Sequence, residues 1–352
     1  VGQQEATADL LEPLTDEDIE RIRAEELLLK RVGLLPQEMD LLATVEGLLE
    51  VEVGGYYRPD AGDLAVAATL LDREDDAALR WILAHEYVHA LQDQHFGIDA
   101  AKDAAAPDDE RSAVVALAEG DASFLTVQMA LSGALPASPA AAEQSALASD
   151  TGLEALPLLM QREIVFPYLD GMDFVEHLWD IGGWPAIDEA WLDPPTSTEQ
   201  VMHPALYPHE QPIWVRLPDV AGMLGDGWTA GFESTMGELR VGVFVADHEP
   251  SEMPLPMRVA VALPNAEAAT GWGGDRILTI DGPEGAWVVV WQTAWDTPQD
   301  ADEFVAAALL AMDDLAGAHA VIPDIDIGGV APAERSVLVL VADGEATMSR
   351  LG

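Results

Sequence analysis

The sequence contains no cysteine and only two lysines, Lys30 and Lys102. Without cysteine there is no disulfide, no thiolate metal site and no cysteine nucleophile. Lysine and arginine together number 16 against 64 aspartates and glutamates, so the formal net charge is −48. A surface with that charge repels phosphate groups. Nucleic acid is therefore excluded as a general partner, and binding to anionic membranes is disfavoured.

Long hydrophobic runs are also missing. No run reaches the roughly 18 residues that span a bilayer, so we expect no membrane span in this chain. Hydrophobic residues still make up 49% of the sequence, which is a normal share for a packed core and argues against disorder. The chain begins at Val1 rather than at methionine, and we expect that a leader has been removed.

The charge has a consequence for the working environment of the protein. At low salt, this many carboxylates repel one another and push the compact state apart. Near 1 M salt the Debye length falls to about 3 Å, so most of the repulsion is screened. Scarce lysine, abundant acidic residues and a normal core together resemble a protein adapted to high salt. The alternative interpretation is an acidic secreted protein with no such adaptation.

The pattern of apolar and turn-forming residues predicts an α+β protein with two regions. Residues 1–215 form a mainly helical region with one β-hairpin, and residues 216–352 form a smaller α+β region. In the first region the predicted helices are 15–30, 36–49, 73–94, 110–131, 153–165 and 171–181, and the hairpin strands are 51–58 and 63–68. In the second region we predict strands at 240–245, 257–263, 277–280, 286–291 and 336–341 around a helix at 300–316.

The motif that indicates chemistry is His85-Glu86-Tyr87-Val88-His89, in the middle of a helical pattern. Residues at positions i and i+4 share a helix face, so both imidazoles can reach one metal ion. Glu86 lies about 100° round the helix, where its carboxylate reaches a water molecule at the metal and acts as its general base. Two surface histidines would show the same letters, but the flanking residues are apolar, and buried polar groups need partners. The motif therefore predicts a zinc site.

A third protein ligand is needed, and two residues are candidates. Glu119 lies in a second apolar helical segment beside Gly120, where another helix can approach closely. His95 follows His89 by six residues, the offset found in three-histidine sites, but those sites bend the chain at a glycine where this sequence has Gln92. On a continuing helix six residues turn through about 600°, so His95 points about 120° away from His89. We predict Glu119 as the ligand.

Two supporting roles remain to be filled. Asp93 and Asp121 are candidates for orienting a ligand histidine, although either side chain can equally be solvated. Hydrolysis by a metal-activated water also needs a donor to the oxyanion. The candidates are His203, Tyr207 and Tyr168, and we place His203 first. The alternative for His203 and Tyr207, which are flanked by prolines, is a structural role in a loop.

The stretch from His85 to Asp93, followed by Glu119 on a later helix, resembles the gluzincin-type, thermolysin-like zinc metallopeptidases. Residues 55–62 resemble the edge strand that such enzymes place above the zinc, where it would pair with an extended substrate backbone. One position departs from the pattern, because Ser123 stands where those enzymes have an aspartate four residues after the glutamate ligand.

A narrower resemblance extends along most of the chain. Three stretches, 85–96, 194–204 and 271–275, are similar to an uncharacterised family of predicted surface or lipoprotein metallopeptidases of haloarchaea and other prokaryotes. Only the first stretch has a known chemical meaning.

The two resemblances imply a zinc-dependent endopeptidase, attached to the cell surface or extracellular, that acts on peptide or protein substrates. Its site would hold Zn²⁺ with His85, His89 and Glu119, use Glu86 as the base and use His203 as a stabilising donor. The rival interpretation is a non-catalytic surface protein with a structural zinc site. A structural site normally has four protein ligands and no use for a carboxylate in the position of Glu86.

Overall fold

The computed structural model describes residues 14–52, 55–59, 61–66, 68, 76–105, 108–136, 155–246, 266–313 and 315–351. The chain divides into two compact units. The second unit comprises Ile19–Met39, Pro157–Met160 and Glu210–Gly352, and the first comprises the rest. The predicted α+β class is confirmed, with helices in the first unit and most of the β-structure in the second.

The first unit is mainly helical. After helix α1 (Asp16–Arg31), most of which belongs to the second unit, its elements are α2 (Leu41–Glu52), β1 (Gly55–Arg58), β2 (Asp63–Val66), α3 (Ala77–Phe96), α4 (Ile98–Ala104), α5 (Asp109–Leu131), most of α6 (Leu158–Gly182), α7 (Trp184–Leu192) and α8 (Thr198–Met202). Strands β1 and β2 form an antiparallel hairpin in which Tyr57 lies opposite Leu64.

Helix α3 carries the H-E-x-x-H motif and runs without a break to Phe96. It ends at Gly97, which has a φ of 70° and donates its N–H to the carbonyl of Asp93. Such a left-handed cap suits glycine, which has no side chain to clash. Strand β1 lies against this helix at Gly55, where a Cβ would come within 2.7 Å of the Ile82 side chain. The hairpin is thereby held beside the motif.

Helices α5 and α6 cross at two glycines. A Cβ on Gly120 would overlap the backbone of Gly171, and a Cβ on Gly171 would overlap the carbonyl of Ala116. Glycine at both positions lets the two backbones touch, as the sequence predicted for Gly120. The crossing fixes the position of α6 relative to the segment of α5 that contains Glu119.

Helix α5 is the one helix of the described chain that is long and apolar enough to cross a membrane by length and composition. Half of its most apolar window is nevertheless buried inside the protein, and Asp121 is buried within it. Core helices of globular proteins pass the same test. The helix is thus weak evidence for a membrane span.

The second unit is built on a five-stranded antiparallel sheet in the order β3-β4-β5-β7-β6. Its elements are α1 (Asp16–Arg31, which begins three residues before the unit), α9 (Val220–Leu224), β3 (Thr229–Ser234), α10 (Gly237–Val245), β4 (Trp272–Asp281), β5 (Trp287–Trp295), α11 (Pro298–Ala311), β6 (Ala318–Pro323), β7 (Ser336–Ala342) and α12 (Glu345–Met348). Strands β3 and β6 were not predicted.

The central strands are buried on both faces. On one face Trp291 and Trp295 pack against Phe304 of α11, with ring centroids 5.8 and 4.7 Å away. On the other face Val288 and Val290 belong to a separate apolar cluster. Trp291 and Trp295 share one face of the sheet because side chains alternate along a strand.

Helix α1 belongs to this unit although it lies far away in sequence. The guanidinium of Arg31 donates a hydrogen bond of 2.6 Å to Asp281 on β4 and lies 4.8 Å from the ring centroid of Trp287 on β5. Glu25 pairs with Arg240 of α10 at 2.7 Å. The predicted division into 1–215 and 216–352 did not include this contribution from the N-terminal part of the chain.

The glycine-rich stretch before β4 has a structural explanation. Gly271 has a φ of 80°, and the buried carboxylate of Asp275 accepts hydrogen bonds from four N–H groups. The donors are the backbone of Met236 and Gly237 and the indoles of Trp272 and Trp291. Burial raises the pKa of Asp275 to about 6 against the pull of these donors. The carboxylate thus caps the first turn of α10.

Three predicted elements were wrong in type or extent. The apolar run 240–245, predicted as a strand, belongs to helix α10. The stretch 51–58 begins as helix, because α2 continues through Glu52, and becomes strand only at Gly55. The predicted helix at 36–49 starts later, at Leu41, after a turn. The predicted strand 257–263 lies outside the described residues.

The two helices predicted at 153–165 and 171–181 are one helix, α6, with Pro167 inside it. Proline lacks an N–H and normally interrupts a helix. Here the flanking side chains of Val165, Phe166 and Phe174 are almost completely buried. Packing on both sides of the proline therefore keeps the helix continuous.

Candidate metal centre

The structure brings together the three residues predicted as metal ligands. His85 and His89 lie one turn apart on α3, with their Nε2 atoms 3.1 Å from each other. The Oε2 atom of Glu119 on α5 is 3.1 Å from Nε2 of His85 and 3.4 Å from Nε2 of His89. Three electron-pair donors from two helices thus converge on one point.

These spacings fit the donor triangle of a tetrahedral zinc ion. Zinc binds imidazole nitrogen and carboxylate oxygen at about 2.0–2.2 Å. The edge of a tetrahedron is about 1.6 times its centre-to-corner distance, so neighbouring donors should lie about 3.3 Å apart. The described residues supply three such donors and no fourth histidine, aspartate or glutamate to the group. The triangle therefore fits a zinc ion with one position left for water or substrate.

The electrostatics of the cluster favour a positive charge at its centre. Burial alone raises the pKa of Glu119, but His89 and His85 beside it outweigh burial and hold that pKa well below its usual range. Burial lowers the pKa of His89, but Glu119 and Glu86 outweigh it and raise that pKa to about 8. Both shifts have the same origin, because a buried carboxylate stabilises a cation next to it.

Glu86 lies beside the donor triangle without belonging to it. Its Oε2 atom accepts a hydrogen bond of 3.0 Å from the backbone N–H of Tyr57 on β1. Burial raises the pKa of Glu86, against the pull of His89 and His85. The Tyr57 hydroxyl donates to Asp93, two helical turns beyond Glu86, at 3.0 Å. Strand β1 is thereby attached to α3 at two points, one within the motif and one about a turn after it.

A chain of hydrogen bonds extends behind His89. Its Nδ1 atom lies 2.9 Å from Oε1 of Gln92. The Nε2 atom of Gln92 donates to the carbonyl of Ala118 at 3.0 Å and to Oδ2 of Asp121 at 2.9 Å. Asp121 also accepts a bond of 3.1 Å from the indole of Trp191 on α7. The predicted orienting carboxylate Asp121 thus reaches the ligand through Gln92.

Tyr168 lies on α6 next to the cluster. Its ring centroid is 6.3 Å from that of His85. The negative charge of Glu119, followed by burial and the charge of Glu86, raises the pKa of Tyr168 well above its usual value. A hydroxyl with such a pKa stays protonated and remains able to donate a hydrogen bond.

The other sequence candidates have different surroundings. Tyr207 donates its hydroxyl to the carbonyl of Asp193 at 2.6 Å, which uses the proton that an oxyanion would need. His203 follows the last residue of α8 and donates its backbone N–H to the carbonyl of Glu199. Its role as a donor to the oxyanion stays a prediction. His95 is exposed on α3, which continues past Gln92 without the turn that a histidine ligand at this position requires.

Gln92 is the residue that sequence reasoning missed. In the sequence, Gln92 stands out only because it occupies the position of the glycine in three-histidine sites. A pattern was available, because Gln92 follows His89 by three residues and so shares its helix face. Its partners Ala118 and Asp121 lie on α5, and local sequence cannot show that this helix packs against α3 here.

Comparison with known proteins covers only the second unit. Residues 229–351 match a family described as a domain of unknown function, DUF8575. Among curated proteins and solved structures nothing matches the chain significantly. The residues of the candidate metal centre lie outside the matched range.

Proposed function

We propose that the protein is a zinc-dependent endopeptidase with a zincin-like, gluzincin-type catalytic region. The observation that carries the proposal is the donor triangle of His85, His89 and Glu119, with Glu86 beside it and outside it. The residue types are those that zinc prefers, and their spacing suits a tetrahedral ion. The resemblance of the motif to thermolysin-like enzymes points to the same reaction.

Bound to these three residues, Zn²⁺ would supply Lewis-acid polarisation of a peptide carbonyl and a lowered pKa for water. Glu86 accepts a proton from the attacking water while the new carbon–oxygen bond forms. It then gives the proton to the amine nitrogen as the carbon–nitrogen bond breaks. Its raised pKa suits both steps, because a general base works best with a pKa near the working pH.

Tyr168 is the side chain best placed to stabilise the developing oxyanion. It lies next to His85 and remains protonated because of its carboxylate neighbours. A donor preorganised in a partly buried site stabilises such a charge strongly. His203 remains the second candidate for this role.

A structural zinc site is the rival function. Structural zinc normally has four protein ligands, whereas the group formed by the described residues has three. Glu86 lies beside the donor triangle but outside it, so it is not needed to hold a structural zinc ion. Both points favour the peptidase.

The deciding experiment compares wild type with Glu86→Gln. Zinc content should remain stoichiometric in the variant, while hydrolysis of an unfolded protein and of a quenched-fluorescence peptide library should fall by at least about 100-fold. Glu176→Gln, an exposed change on α6, serves as the matched control. Chelation should abolish wild-type hydrolysis, and added zinc should restore it.

Two outcomes would contradict the proposal. Undiminished cleavage by Glu86→Gln would show that Glu86 is not the base. A wild-type protein that binds zinc but cleaves nothing in the library would support the structural site instead.

A further inference from the structure

We infer that Gln92 is the positioning residue of the metal centre, which fixes the ligand atom of His89 and the helix that carries Glu119. The inference rests on the metal site of the proposed function. It concerns a residue that binds no metal itself and acts through two that do.

The orientation of the Gln92 amide follows from its partners. The carbonyl of Ala118 can only accept a hydrogen bond, so the NH₂ group of Gln92 must face it. The same NH₂ faces Oδ2 of Asp121, and that oxygen already accepts from the Trp191 indole, which can only donate. Because the Ala118 carbonyl and Asp121 Oδ2 both need a donor, the amide of Gln92 can adopt only the orientation with its NH₂ towards α5.

That orientation selects the tautomer of His89. With its NH₂ turned towards α5, Gln92 presents its carbonyl oxygen to Nδ1 of His89 at 2.9 Å. Nδ1 must therefore carry the proton, and in the neutral ring Nε2 keeps its lone pair. Nε2 is the atom that faces His85 and Glu119. Gln92 thereby directs His89 to offer Nε2, and not Nδ1, to a metal.

The same amide also sets the distance between two ligand-bearing helices. Ala118 and Asp121 stand on either side of Glu119, so the bonds from Gln92 hold that turn of α5 to α3. Gln92 is only 2% exposed, which shields these bonds from competing water. One side chain thus determines both the identity and the separation of the donors.

The test measures zinc affinity on the full chain in molar salt, by competition with a chromophoric chelator. Gln92→Leu removes all three hydrogen bonds and keeps a similar volume. The matched control is Gln161→Leu, because Gln161 is equally buried at 2% in α6 and donates only to Leu156. The variant Gln92→Leu should bind zinc about 10–100-fold more weakly than wild type, and the control should bind it as wild type does.

A polarity swap provides the rescue. In Gln92→Glu combined with Asp121→Asn, the new carboxylate accepts from both His89 Nδ1 and the new amide, and that amide still accepts from Trp191. The Ala118 carbonyl loses its donor, and the net charge does not change. The double variant should therefore regain part of the zinc affinity lost in Gln92→Leu, together with the visible Co²⁺ spectrum of the wild-type site, which reports coordination geometry. A purely packing role for Gln92 predicts no such rescue.

The inference is overturned if Gln92→Leu and Gln161→Leu bind zinc equally well, or if the folded double variant binds zinc no more tightly than Gln92→Leu or, where that variant does not fold, than Glu119→Ala. If Gln92→Leu does not fold without metal, the zinc affinity of the double variant is compared with that of Glu119→Ala, and equally weak binding overturns the inference. Loss of the metal site itself, seen as no zinc in wild type, overturns the inference and the proposed function together. Zinc binding as expected without peptide cleavage refutes only the peptidase, and the role of Gln92 stands.

Discussion

Replacing Gly120 with alanine should lower both stability and zinc affinity, although alanine is the better helix former. The new Cβ would overlap the backbone of Gly171, where no flexible side chain can move aside. An ordinary van der Waals contact needs at least 3.4 Å. Helices α5 and α6 must therefore separate by about 1 Å, and a gap of that size forfeits a quarter to a half of the local packing attraction.

The magnitude follows from two opposing effects. Overpacking a core typically costs about 1–3 kcal/mol, and backbone contact places Gly120→Ala at the upper end of that range. The higher helix propensity of alanine offsets about 1 kcal/mol. The net destabilisation of about 2 kcal/mol should lower the unfolding midpoint by roughly 4–8 °C for a unit of this size. Zinc affinity should fall as well, because Glu119 is the neighbouring residue and moves with the helix.

The assay is thermal unfolding at fixed molar salt, together with zinc titration. Gly47→Ala in α2 is the matched control, since a Cβ there meets no atom within 4 Å, and this change should stabilise by up to about 1 kcal/mol. Gly171→Ala should resemble Gly120→Ala. The double variant should lose less than the sum, because one separation of the helices accommodates both methyl groups. If Gly120→Ala behaved like Gly47→Ala, the close crossing of the helices would be refuted.

Three further predictions concern the oxyanion donor, salt and pH. Tyr168→Phe should reduce kcat by about 10²–10³ with zinc content unchanged, and His203→Ala should reduce it less; steady-state kinetics with metal analysis would show the reverse if His203 is the donor. The unfolding midpoint should rise from low to molar NaCl because the charge of −48 is screened, and a flat or falling midpoint would refute the interpretation that the protein is adapted to high salt. The raised pKa of Asp275, about 6 against a usual 3.8, means that its contribution to stability is complete below pH 3.8 and is lost as pH rises through 6. The stability difference between wild type and Asp275→Asn in denaturant unfolding should therefore shrink by roughly 2 kcal/mol from pH 4 to pH 7, and a difference that grows would show that the four N–H donors outweigh burial.

The parts of the site that were predictable are those in which the chemistry needs a fixed spacing along one helix. His85, Glu86 and His89 follow from the helical period alone. Glu119 could be chosen over His95 because a buried carboxylate needs a partner and Gly120 permits close approach. For all four residues, helical spacing or the need of a buried carboxylate for a partner agrees with where the fold places the side chain.

The errors arose where tertiary contacts decide the local structure. The run from Arg240 to Val245 is apolar on all sides, which suits a buried strand and a buried helix equally. Asp275, far along the chain, caps its first turn and so favours the helix. Likewise, the positions of Gln92 and Tyr168 at the metal centre depend on how α3, α5 and α6 cross, and no spacing within the sequence encodes those crossings.

The membership of α1 in the second unit has a consequence for the order of events during synthesis. Arg31 is separated from its partner Asp281 by 250 residues, which the ribosome adds in about 12–50 s at roughly 5–20 residues per second. Helix α1 therefore leaves the ribosome long before the strands it packs against exist. The first unit, by contrast, is fully synthesised at His209. Its candidate metal centre can form on the nascent chain before the sheet that α1 packs against has been synthesised.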